Sequence, residues 1–82
     1  MKVSVRFEGH LFVVPCGDGS NLISWLIEES VRRGHKQKVN IKASHTVELL
    51  EARLLNTHAI LSKDDKITDV LDNNDVIYVG KC

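Results

Sequence analysis

The chain has 82 residues, 43% of them hydrophobic and 5% aromatic, enough for one small core and too little for two. Eleven Lys and Arg balance eleven Asp and Glu, which argues against a dedicated nucleic-acid or membrane binder. Once such a core is filled, little room is left for a deep substrate cavity, so a binding surface is expected rather than a catalytic pocket.

The neutral total hides an asymmetry. Residues 1–44 carry seven basic and four acidic side chains, net +3, and residues 45–82 carry four basic and seven acidic, net −3. A molecule with two oppositely charged ends can attract copies of itself. No apolar run approaches the roughly 20 residues that span a bilayer, and "MKVSVRF" alternates too regularly for a signal sequence. The chain is expected to be cytosolic or cytosol-facing.

In chain order, "KVSVRFE" alternates Val3, Val5 and Phe7 with Lys2, Ser4, Arg6 and Glu8, the period-two pattern of a strand with one buried face. Gly9-His10 turns the chain. In "LFVVPC" both alternating sets are apolar: Phe12, Val14 and Cys16 are expected in the core, leaving Leu11 and Val13 pointing outward. Pro15 cannot donate to a ladder, so this strand is expected at an edge. "CGDGS" supplies two glycines for a tight turn and Ser20 as a helix N-cap. A phosphate loop would want a lysine and a hydroxyl after the glycines, whereas Asp18 stands in the middle of this one.

From Ser20 to about Arg33, the positions Ile23, Leu26, Ile27 and Val31 recur at helical spacing, an amphipathic helix ending near Gly34. Arg32 and Arg33 suit its C-terminal dipole. Trp25 falls off the stripe: either the connection over residues 34–45 covers it, or it is an exposed aromatic contact. "TVELLEARLL" reads as a strand with Leu50, Ala52 and Leu54 inward and Glu51 and Arg53 outward, and with a bulge at Val47 and Leu49. "NTH" turns the chain and "AIL" is a short edge segment. Ser62 with Asp65 fits a capping box for a short helix facing Ile67, Val70 and Leu71 to the core. "DNND" turns again, and "VIYV", apolar on both faces, fits a central strand.

A hairpin, a helix crossing one face and a last strand inserted centrally make an α+β fold of the β-grasp, or ubiquitin-like, class, with a mixed sheet, one main helix and one short helix. A simpler α+β sandwich with another strand order is the alternative. Residues 1–82 are read as one domain. A chain that stops just after "VIYVG" is expected to be a domain cut from a longer protein.

No catalytic constellation assembles. Cys16 follows a proline on the core face with no base near it in sequence and reads as a small buried residue. Cys82 shows no partner spacing of the metal or redox kind. His10, His35, His45 and His58 lie in or beside turns without paired ligand spacing, so no metal, cofactor or enzymatic activity is expected. The acidic run "SKDDKITDVLDNND" places Asp64, Asp65, Asp69, Asp72 and Asp75 around the short helix. A solvated acidic face needs no partner, and a calcium loop would need closer alternation, a central glycine and a terminal glutamate. Beside Arg6, however, the apolar outer face Leu11/Val13 is a liability unless something covers it. Lys36, Lys38 and Lys42 fit acidic lipid or a solvated loop equally well.

"MKVSVRFEGHLFVVPCGDG" closely resembles the start of the amino-terminal domain of the Bazooka, or partitioning-defective-three, family of cell-polarity scaffolds, and the resemblance resumes at "ILSKDDKITDVLDNND". The resemblance implies a ubiquitin-like domain similar to Phox/Bem-type and DIX domains. Such a domain self-associates front to back into open helical filaments and concentrates the scaffold's PDZ domains at the cell cortex or junctions, touching membrane only indirectly. By position, Val13 matches an exposed strand residue of the family's contact and Asp72 an acidic residue of the opposing face, with Asp69 in the same motif. The family's basic residues between Phe7 and Val13 are replaced here by Glu8, Gly9, His10 and Leu11. That leaves Arg6, with Lys2 and His10, as the cations of that face.

The expected assembly therefore joins Arg6, His10, Leu11 and Val13 of one copy to Asp69 and Asp72 of the next, with Lys2, Asp64, Asp65 and Trp25 as secondary candidates. A monomeric ubiquitin-like domain that docks a different protein, such as a small GTPase or a related domain, on the same edge is the rival. A conjugated modifier is disfavoured, because the end reads Val79-Gly80-Lys81-Cys82 without a terminal Gly-Gly.

Overall fold

The computed structural model describes residues 1–7, 9–36 and 50–81. Expectations for Glu8, residues 37–49 (the rest of the 34–45 connection, the Val47/Leu49 bulge, His45, Lys38 and Lys42) and Cys82 lie outside the described residues. The elements run β1 (Lys2–Phe7), β2 (His10–Pro15), α1 (Ile23–Lys36), β3 (Leu50–Leu54), β4 (Ile60–Leu61), α2 (Ile67–Val70) and β5 (Val76–Lys81). They form one five-stranded sheet in the order β2-β1-β5-β3-β4. β5 lies between β1, to which it is parallel, and β3, to which it is antiparallel. The last strand is thus inserted centrally and β2 is an edge. This small α+β architecture is compatible with a ubiquitin-like roll.

One face of the sheet makes the core. Val3, Val5 and Phe7 of β1 are wholly buried, as are Ile23, Leu26 and Ile27 of α1 and Ile77 and Val79 of β5. Phe12, Val14 and Cys16 close the β2 side and Leu50 and Ala52 the β3 side. Ser30 is the buried polar exception on α1. Its hydroxyl donates to the Leu26 carbonyl at 2.7 Å, which removes the cost of burying it. Val31, on the expected stripe, is half-buried, and Trp25 packs half-buried against the core.

Both helix starts differ from expectation, for one reason. α1 begins at Ile23 rather than Ser20, and α2 at Ile67 rather than after Ser62; neither hydroxyl caps a helix. The first amides of each helix are instead satisfied by the loop before the other. Ile23 and Ser24 donate to the Asp65 and Lys63 carbonyls (2.9 and 3.1 Å), while Ile67 and Thr68 donate to Asn21 and Gly19 (2.9 and 3.0 Å). Leu22 and Lys66 form the antiparallel bridge at the centre of this clasp. Four orphan donors of the helix ends are thereby paired without side-chain caps. α1 also runs past Gly34, which lies buried in its last turn, to Lys36.

The glycine loop is a turn. Asp18 Oδ1 accepts from the Ser20 amide at 3.0 Å and the Gly19 amide donates to Cys16 at 2.9 Å. Gly19 has φ 77° and sits against Thr68 and Met1 with no space for a Cβ, so both conformation and packing demand glycine there.

Glu51 points to the outer face as expected but is only 8% exposed. It stands opposite Gly80, and the Tyr78 ring lies over Gly80 so closely that a Cβ there would meet it at 2.6 Å. Arg53 Nε donates to Glu51 Oε1 at 2.7 Å, neutralising the carboxylate that the ring and the strand bury.

Candidate functional site

Among the described residues, four of the five exposed large hydrophobic side chains, Leu11, Val13, Ile60 and Tyr78, are on the outer sheet face. β1 turns Lys2, Ser4 and Arg6 outward, and β2 sets Pro15, Val13 and Leu11 opposite them in that order. The Cys16 amide donates to the Met1 carbonyl at 2.8 Å, between directly opposed residues. Alternation along an antiparallel ladder then makes Ser4–Val13 and Arg6–Leu11 non-hydrogen-bonded pairs, the kind whose side chains stand closest. It also turns the backbone N and O of Leu11 and Val13 away from β1, toward the free edge. Pro15 shares that phase, so its missing N–H falls where no strand would receive it. Leu11 is 59% and Val13 51% exposed.

Two residues expected with this group lie elsewhere. His10 shares the phase of Phe12 and Val14, so it projects to the opposite face from Leu11 and Val13, opposite Phe7 at the strand end. Lys2 is on the outer face but at the far end of β1 from Arg6. Its amide donates to Asn73 Oδ1 at 2.8 Å and its carbonyl accepts from the Asn74 amide at 2.7 Å, which puts it beside the acidic turn.

That turn follows α2. The Asp72 amide donates to Asp75 Oδ2 at 2.8 Å, so Asp75 serves the turn while the Asp69 and Asp72 side chains stay exposed. Asp64 and Asp65 are exposed in the loop that receives the first amides of α1, where negative charge favours the positive end of that helix. The acidic run thus divides into Asp69 on α2 with Asp72 in the turn after it, and Asp64 with Asp65 at the α1 start.

Beside Asp69 and Asp72 lies a feature the sequence does not announce. A cleft of about 460 Å³ opens between the end of β3, α2 and the start of β5. Its apolar lining is Leu54, Leu55, Val70 and Val76, and Asn56, Thr57, Asn74 and Asp75 complete its wall. These residues come from three separated segments, so no local pattern marks them. Sequence reasoning also missed that Tyr78, on a central strand, is 41% exposed, and that Ile60 is 62% exposed. Cross-strand register aligns Leu11, Arg6, Tyr78, Arg53 and Ile60 in one row over all five strands.

Burial pushes the Cys16 thiol up from its ordinary value, away from the nucleophilic thiolate. Hydrogen bonds from Ser20 hold the Asp18 carboxyl low. Among the described residues no group of three His, Cys, Asp or Glu could hold a metal ion, and no helix is long and apolar enough to cross a membrane. The arrangement can present an apolar, cationic edge in one direction and an acidic end with an apolar cleft in another.

No curated protein matches the chain. The family model described as the N-terminal of Par3 and HAL proteins matches residues 1–79, from β1 through the acidic turn into β5, and the chain belongs to that family.

Proposed function

We propose that this domain is a non-enzymatic self-association module of a cell-polarity scaffold. The edge face of one copy, Arg6, Leu11 and Val13, binds the acidic end, Asp69 and Asp72, of the next. The two surfaces are different, so the contact is heterologous and propagates rather than closing. Repetition would concentrate the scaffold's other domains at the cell cortex. The observation that carries this reading is the exposure of Leu11 and Val13, 59% and 51%, side by side on an unpaired edge next to Arg6. Exposed ion pairs contribute only about 0.2–1 kcal/mol each. The apolar centre therefore supplies most of the affinity and the charges most of the orientation.

Sedimentation velocity across a wide concentration range, at low and high salt, tests it. Mass that climbs without a plateau and falls with salt is the expected result. A single monomer peak throughout would rule out self-assembly and favour a different protein docked on the Leu11/Val13 edge.

A further inference from the structure

The charges of the acidic end do not account for the Leu11/Val13 half of the contact. Two exposed branched side chains gain little against a purely acidic, solvated surface, because their burial needs apolar partners. The acidic end does possess such partners. Leu54 and Leu55 at the end of β3, Val70 on α2 and Val76 on β5 line the cleft of about 460 Å³, a size within the roughly 300–1,000 Å³ of pockets that take small ligands.

We infer that this cleft is the socket for Leu11 and Val13 of a second copy of the chain, which rests on the head-to-tail reading above and names where its apolar half docks. Charge complementarity selects the occupant. Val70 follows Asp69 directly and stands two residues before Asp72 in the chain, and Asp75, hydrogen-bonded to the Asp72 amide, forms part of the cleft wall. An apolar group entering here meets Asp75 in the wall, and the exposed Asp69 is the chain neighbour of the lining residue Val70. The edge face offers the matching pattern: Leu11 and Val13 are exposed, and Arg6 is cross-strand neighbour to Leu11. Knob and cation arrive together where socket and anions stand together. His10, on the opposite face of β2, takes no part.

The contact so built has two separable sides, so it can be tested by complementation. Leu55→Lys places a charge in the cleft. Asn56→Trp plugs it from an exposed turn position and leaves the core untouched. Val13→Asp removes the knob. Each variant is first checked for parental circular dichroism and melting, then examined by sedimentation velocity alone and in pairwise mixtures.

Both cleft variants should raise the dissociation constant by roughly thirtyfold or more, the scale of a lost interface hot spot. Either of them mixed with Val13→Asp should give a 1:1 dimer and nothing larger, because the mixture holds one intact socket and one intact knob. If the cleft variants assemble like the parent while Val13→Asp is monomeric, the socket is wrong and head-to-tail assembly stands. If the cleft variants are monomeric and the mixtures yield no dimer, both substitutions lie on one side and the socket is again wrong. A parent that is itself monomeric overturns the assembly and the socket with it.

Discussion

The two halves of the outer sheet face make an instructive comparison. On the β5/β3 half, polar and aromatic groups are satisfied by one another: the Tyr78 ring lies over Gly80, and Arg53 is bound to the Glu51 carboxylate it helps to bury. On the β1/β2 half, Leu11 and Val13 lie open beside Arg6, with the backbone of a free edge turned outward. Similar exposure thus has different meanings. Tyr78 is an exposed residue with an internal task, whereas nothing in the fold requires Leu11 or Val13 to be apolar.

The largest expected effect breaks that comparison directly. Val13→Asp should abolish assembly, raising the dissociation constant at least about a hundredfold through loss of apolar burial and an added charge opposite an acidic end. Ile60→Asp, at the other edge and at a residue even more exposed (62%), should leave assembly within about threefold of the parent, since rim or non-interface changes cost little. Sedimentation equilibrium on both variants reads the difference. Equal losses would mean that exposed apolar area in general, not the β2 edge, drives association.

Next comes the satisfied half. Gly80→Val puts a branched side chain where the Tyr78 ring lies, and should destabilise the fold by about 1–3 kcal/mol through overpacking, a fall of several degrees in melting temperature. Adding Tyr78→Ala should recover part of that loss, because the clash is gone. Assembly should persist in both, provided the protein is folded at the temperature of measurement. Identical melting of parent and Gly80→Val would mean the ring moves aside at no cost.

The contrast between halves also marks what could be read from the sequence. Period-two alternation placed Val3, Val5, Phe7, Phe12 and Val14 inward and Leu11 and Val13 outward, because each strand carries its own face in its spacing. Proline correctly marked β2 as an edge, and the central insertion of the last strand followed from "VIYV". The helix starts were not legible at Ser20 or Ser62, since their caps are backbone carbonyls some forty residues away in the chain. His10 was counted among the cations of that face because it stands in the segment where the resemblance puts basic residues, whereas its phase along β2 is that of Phe12, not of Leu11. The cleft was invisible because Leu54, Val70 and Val76 share a wall only after β3, α2 and β5 have packed. Alternation placed Glu51 outward correctly but could not show its burial, which follows from its place opposite Gly80 and its bond to Arg53 and so depends on register.

Arg6→Ala should have a smaller effect. One exposed ion pair contributes about 0.2–1 kcal/mol, so assembly should weaken no more than about fivefold. The remaining association should depend less on salt, because Arg53 is already committed to Glu51 and supplies no substitute. Isothermal dilution at two ionic strengths measures both. A loss as complete as that of Val13→Asp would make charge, not apolar burial, the main source of affinity.

The smallest effect concerns an ion pair wholly inside one copy, as a reference for that between copies. Glu29 on α1 accepts from Arg32 Nε at 3.3 Å and Arg33 Nε at 3.2 Å. The Arg32 hydrogen bond, with the charge of both arginines, lowers its carboxyl from the ordinary value of 4.5. A carboxyl lowered in the folded state leaves the unfolded chain to take up the proton first as pH falls. The stabilisation is therefore complete above that ordinary value and disappears as pH drops through the lower folded one. Glu29→Gln should remove it. Measured in the Val13→Asp background, where assembly cannot contribute, the variant should melt below its parent at pH 7 by no more than about 1 kcal/mol, since Arg32 is half exposed and water screens the pair. The two curves should converge in acid. A gap of the same size at both pH values would show that the carboxylate's charge contributes nothing to the helix, and that the difference comes from packing alone.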